Sequence, residues 1–110
     1  VSYGGMLLIE FLLKYPELCR AAIIVSATAQ GRNQGPVPFP DRRADLANIA
    51  TPTLVVQATQ DAIFPPEHGE AIASGLRNAR LVVLEGGHTI NNQRVEEFNQ
   101  AVLSFLEEVI

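Results

Sequence analysis

Apolar residues fall along this chain in two kinds of pattern. Over residues 5–14, "GMLLIEFLLK", they occupy most faces of a helix, which predicts a helix buried on nearly every side. Pro16 closes it, because its ring cannot continue the hydrogen-bond ladder. "RAAIIVSATA" (20–29), "TLVVQA" (53–58) and "RLVVLE" (80–85) are short continuous apolar runs rich in β-branched residues, the pattern of strands buried on both faces. "PPEHGEAIASGL" (65–76) predicts a helix with proline in its first turn, ending near Leu76. In the tail, Val95, Phe98, Val102, Phe105, Leu106 and Val109 recur at spacings of three and four, which places one apolar stripe on a helix packed against a sheet.

The polar stretches separate these elements. Between Gln30 and Pro40 lie two glycines and three prolines, the one loop-like segment of the chain. "DRRADLANI" (41–49) predicts a short helix capped by Asp41. The order is thus helix, strand, helix, strand, helix, strand, helix: an α/β chain of about three strands and four helices. Such alternation predicts a mostly parallel, doubly wound sheet with right-handed crossovers. In open sheets of this kind the chemistry sits beyond the carboxyl ends of the strands. Those ends are therefore where functional residues are sought.

Composition narrows the classes. A chain of 110 residues, 47% hydrophobic, has the size and make-up of one globular domain with a real core. Its net charge of −4 argues against nucleic acid or an anionic membrane as partner. The most apolar stretch, Met6 to Leu13, is interrupted by Glu10 and falls far short of the roughly 20 residues that span a bilayer. The single cysteine, Cys19, excludes an internal disulfide and fits a reducing, cytoplasmic setting. Cys19 is expected to be a core or half-buried thiol. No C-x-x-C or H-E-x-x-H pattern points to a metal, and nothing points to a cofactor. The Gly-Gly pairs at 4–5 and 86–87 fit tight turns and neither phosphate-binding glycine pattern.

Three strand ends carry reactive side chains. Asp61 follows "TLVVQATQ", His88 follows "RLVVLEGG", and Ser2 stands before the first helix, where a strand ought to end. A serine hydroxyl is a poor nucleophile until a base accepts its proton. Imidazole can do so, and a carboxylate on its far nitrogen fixes the tautomer. The other acids, Asp41, Asp45 and Glu85, lack this placement relative to a histidine. His68 falls in the first turn of a predicted helix and is expected to be exposed.

The order Ser, Asp, His resembles that of the α/β-hydrolase family. "VSYGG" resembles the family's G-x-S-x-G nucleophile elbow with its first glycine absent, Ser2 matching the nucleophile and Gly4 the second glycine. "PTLVVQATQDAIFPP" resembles the strand-then-acid segment, "LVVLEGGHTI" the last strand and histidine loop, and "FNQAVLSFLEEV" the closing helix. The resemblance covers the whole chain, 1–110, as a partial domain corresponding to the family's C-terminal half. It implies a missing N-terminal half that includes the second oxyanion donor. Residues of about 29–46 leave room for only a minimal cap.

By this resemblance Ser2 attacks an acyl carbonyl, His88 moves the proton, Asp61 orients His88, and the Tyr3 backbone N–H stabilises the oxyanion. Phe39, Ile63, Phe64 and Ile90 are expected to line the pocket for a small-molecule acyl substrate. A carboxylic ester is the default, while lactonase, C–C hydrolase, acyltransferase and haloperoxidase chemistry stay open. A dehalogenase is disfavoured, because such members carry a carboxylate where this chain has Ser2. The alternative is a non-catalytic or truncated binding domain that keeps the fold.

Overall fold

The computed structural model describes residues 1–33 and 35–110. A parallel three-stranded sheet in the order β1-β2-β3 forms its centre. Strand β1 (Ala22–Val25) pairs with β2 (Thr53–Ala58), and β2 with β3 (Ala79–Leu84), so all three carboxyl ends face the same way. β2 is buried along its whole length, as its unbroken apolar run predicts. Helix α1 (Tyr3–Lys14) precedes β1, α2 (Pro66–Gly75) joins β2 to β3, and the one-turn α3 (Ile90–Gln93) leads into α4 (Val95–Val109). No described helix is long and apolar enough to cross a membrane.

The apolar residues divide between the two faces of the sheet. On one face Ile9, Leu12, Ile24, Leu46, Ile49, Val55 and Ile72 join α1 and α2 to the strands. On the other, Val25, Leu54, Val56, Ile90 and Phe105 form the core beneath α4, with the predicted stripe residues Phe98, Val102, Leu106 and Val109 packed against it. Gly5 permits the close approach of α1 to β1. A Cβ there would lie 2.6 Å from the Cβ of Ala27. At Gly4, by contrast, a Cβ would meet nothing within 4 Å. Among the described residues, the steric need for a small side chain behind the serine therefore falls on the second glycine of the pair.

The short helix predicted over 41–49 is a 3₁₀ helix, Arg43–Asn48. Six residues ahead of the Thr51–Pro52 break leave little room for an α ladder, and short 3₁₀ runs fill such connectors. Leu46 anchors it in the core. Asp41 stands one residue outside the cap position, where its Oδ1 accepts the Arg43 N–H at 3.0 Å. Its Oδ2 accepts a 2.6 Å hydrogen bond from the Arg43 guanidinium.

The Arg43 hydrogen bonds hold the Asp41 carboxyl down at about 2, from an ordinary 3.8. A depressed carboxylate stabilises the fold above its unfolded pKa, and that contribution is lost as pH falls through the folded value. An NMR titration of the Asp41 carboxyl should thus show a midpoint near pH 2. Arg43→Ala should move it up toward 3.8. A midpoint already at the ordinary value in the unsubstituted protein would show that the pair does not form in solution.

Outside this frame, α1 keeps an apolar surface. Leu7 is 60% exposed, and with Gly4, Leu8, Phe11 and Cys19 it lines an apolar hollow of about 350 Å³.

Candidate active site

Ser2 sits where the chain turns into α1. Its φ of 54° and ψ of −119° lie in a region that side chains rarely occupy, and its N–H donates to the Val25 carbonyl of β1 at 2.7 Å. Backbone strain of this kind costs of the order of 1–3 kcal/mol and persists only where the surroundings impose it. The turn leaves the Ser2 side chain facing the carboxyl ends of the strands. Ser26, just past β1, is the other non-glycine residue with positive φ among the described residues, at 52°.

Asp61 follows β2 and is buried, its carboxylate shielded from solvent. Its Oδ1 accepts the N–H groups of Ile63 and Phe64, each at 2.9 Å. These two amides fix the carboxylate plane and leave Oδ2 aimed at His88 Nδ1, 2.9 Å away. On the other side of the ring, His88 Nε2 lies 2.9 Å from Ser2 Oγ. An ionised carboxylate can only accept, so Nδ1 carries the proton and Nε2 presents its lone pair to the Ser2 hydroxyl.

The loop that delivers His88 is shaped by Gly86, whose φ of 152° suits glycine. A Cβ there would come within 2.7 Å of Ile90 Cδ1. The Gln60 N–H donates to the Gly86 carbonyl, and the Gly87 N–H donates to Gln93 Oε1. The side chain of His88 stays 21% exposed, so the Ser2–His88 contact is open to a molecule from solution. Among the described residues no group of His, Cys, Asp and Glu could hold a metal ion.

The Tyr3 N–H is the first in α1. The amides of Gly4, Gly5 and Met6 donate to the carbonyls of Val1 or Ser2, whereas Tyr3 N–H has no backbone acceptor among the described residues. A free amide at a helix N-terminus favours negative charge in front of it.

The four residues expected to line a pocket divide. Phe39 is buried and meets the Tyr3 ring edge-on at 5.0 Å between centroids. Phe64 stands between the rings of His68 and His88, at 5.7 and 5.9 Å. Ile63 is 60% exposed and contributes its backbone N–H to Asp61. Ile90 does not line the pocket. As the first residue of α3 it turns under the sheet and is wholly buried with Val25, Leu54, Val56 and Phe105.

Two features have no counterpart in the sequence reading. His68, expected to be exposed, is half-buried, and its Nδ1 lies 2.8 Å from Thr28 Oγ1. Thr28 Oγ1 also accepts the Gln30 N–H at 3.1 Å, so the hydroxyl links the end of β1 to the start of α2. The loop beyond it folds back through an antiparallel bridge between Arg32 and Phe39, and its Val37 carbonyl accepts the Tyr3 hydroxyl at 2.5 Å.

The family model described as TAP-like protein, an α/β-hydrolase model, matches residues 21–109. The chain belongs to the α/β-hydrolase family. Two curated relatives extend the likeness. The polyketide synthase ThaQ of Burkholderia thailandensis is 41% identical over 71 residues, which make up 64% of this chain and 3% of that protein. A 2-hydroxy-6-oxononadienedioate/2-hydroxy-6-oxononatrienedioate hydrolase of Pseudomonas putida is 37% identical over 73 residues, 66% of this chain and 26% of its own length. The likeness thus spans about a quarter of that hydrolase and far less of the synthase.

The fold is shared with the enol-lactonase from Burkholderia xenovorans, at a TM-score of 0.88 and 16% identity, over 97% of this chain and 64% of that one. Its parallel sheet, covering helices and order of elements make this chain part of an α/β-hydrolase fold.

Proposed function

We propose that the protein carrying this chain is a serine hydrolase that cleaves a carboxylic ester or related acyl bond through Ser2, His88 and Asp61. One observation carries the reading: two 2.9 Å contacts link Ser2 Oγ, His88 and the buried Asp61 in one line at the strand ends. The hydrolase named for the P. putida relative lends it further support.

In this reading the Ser2 hydroxyl gives its proton to His88 Nε2 as Oγ bonds to the acyl carbonyl carbon. The carbonyl π electrons move onto oxygen, where the Tyr3 N–H donates to the oxyanion. Asp61 holds the resulting imidazolium in place. Collapse of the tetrahedral adduct breaks the bond to the leaving group, which takes the proton from His88. Water then repeats the sequence: His88 accepts its proton, the hydroxyl adds to the acyl carbon, and Ser2 departs with the proton returned.

The cap, in the same proposal, is the short 29–46 segment, of which Arg32, Val37 and Phe39 meet Tyr3. The exposed apolar face of α1 and the free edge of β1 are covered by the earlier strands of a complete hydrolase fold.

An acyl-enzyme predicts a burst. With p-nitrophenyl acetate, rapid mixing should release about one nitrophenolate per active site before the steady rate, and Ser2→Ala should abolish the burst. Steady release that is indifferent to Ser2→Ala would exclude this serine as the nucleophile.

A further inference from the structure

Among the described residues, the carboxyl ends of the strands hold one cation that has no carboxylate partner and no place in the relay. The eight Lys and Arg side chains of this acidic chain fall into two sets. Arg42, Arg43, Arg80 and Arg94 are each paired with a carboxylate. Lys14, Arg20, Arg32 and Arg77 have no carboxylate partner among the described residues. Three of these lie at the amino ends of the strands: Lys14 closes α1, Arg20 precedes β1 and Arg77 precedes β3. Arg32 alone lies at the end that carries Ser2, Asp61 and His88.

Arg32 is also held in place. Its backbone N–H donates to the Phe39 carbonyl and its carbonyl accepts the Phe39 N–H, both at 2.8 Å, which anchors the root of the side chain. Its guanidinium carbon lies 5.1 Å from the centroid of the Tyr3 ring, and that ring is itself fixed by Phe39 and the Val37 carbonyl. A guanidinium over an aromatic face keeps its N–H donors at the rim, free to take a planar anion two-pronged. The acids nearby are already engaged, Asp41 with Arg43 and Glu10 with Arg42. Beside the guanidinium, Gln30, Asn33 and Asp41 line a hollow of about 190 Å³, the Asp41 carboxylate being held by Arg43. The ring beneath the guanidinium belongs to the residue that directly follows Ser2 in the chain.

We propose that Arg32 is an anion subsite beside Ser2, and that the preferred acyl substrate carries a carboxylate beyond its reacting carbonyl. This rests on the serine-hydrolase reading and names its substrate class. The subsite selects for charge through hydrogen bonds that a neutral acyl chain of equal length cannot accept. Salt weakens such a preference, because the guanidinium is exposed.

Two esters of equal chain length test it: the mono-p-nitrophenyl ester of adipic acid, which is anionic, and p-nitrophenyl hexanoate, which is neutral. The ratio of their kcat/KM values should favour the anion by about tenfold at low salt and shrink as salt is added. Arg32→Gln should lower that ratio about tenfold, and Arg32→Lys should restore part of it. An unchanged ratio in Arg32→Gln, or an equal loss on both esters, overturns the subsite. A second measurement is independent of turnover. In the Ser2→Ala protein, adipate should shift the Arg32 side-chain Nε–H resonance saturably. If it does so while neither ester is hydrolysed, the subsite stands and the serine-hydrolase reading falls. If Arg32 does not respond to adipate, the subsite falls whatever Ser2 does.

Discussion

Ser2→Ala and His88→Ala, each made in the protein carrying this chain, are expected to lower kcat by about 10⁶-fold. The size follows from the geometry. Ser2 Oγ and His88 Nε2 are 2.9 Å apart, so in the proposed mechanism the two would act as one unit, and removing either would leave only binding and the proposed oxyanion donor. The double variant should be no worse than either single one. Steady-state kinetics on one ester, with circular dichroism to confirm folding, checks both points. A loss below tenfold for either single variant would remove that residue from the chemistry.

Asp61→Asn carries the second-largest expected effect, about 10⁴-fold in kcat. The amides of Ile63 and Phe64 both donate to Oδ1, so the asparagine carbonyl oxygen takes that position. The amide nitrogen is then forced toward His88 Nδ1, where it can only donate. Nδ1 must accept, the proton moves to Nε2, and the ring turns a donor toward Ser2 where a base is needed. KM should change little, since the substituted group does not reach the substrate. If Asp61→Asn kept wild-type kcat, the carboxylate would not set the tautomer.

The fold was legible because its strands are short unbroken apolar runs bounded by turns, and the alternation with helices admits few topologies. Ser2, Asp61 and His88 were legible for a related reason. Asp61 and His88 follow β2 and β3, Ser2 is joined by its N–H to the last residue of β1, and a parallel sheet brings all such ends to one side. The structure adds what no local pattern holds. Thr28 and His68 meet across 40 positions of sequence, and the Tyr3 hydroxyl meets Val37 across 34.

Ile90 shows the converse error. An apolar residue two positions from His88 reads as pocket lining. The turn after His88 points it into the core instead, in one cluster with the buried Val25, Leu54, Val56, Ala58 and Phe105. Segment 41–49 predicts a short helix capped by Asp41, and the structure has a shorter one, 43–48, with Arg42 at the cap position. Its length and the proline that follows decide for 3₁₀. Gly4 matched the elbow pattern, whereas Gly5 has the tight packing against Ala27. A motif names positions, and only packing tells which of them is crowded.

The most direct test of a nucleophilic Ser2 is covalent labelling. The protein is treated with a fluorophosphonate, digested, and the adduct mapped by mass spectrometry. The account predicts one phosphonylated peptide, with the adduct on Ser2, formed rapidly and lost in His88→Ala. A folded protein that takes no label on Ser2, or takes it equally well without His88, would contradict it.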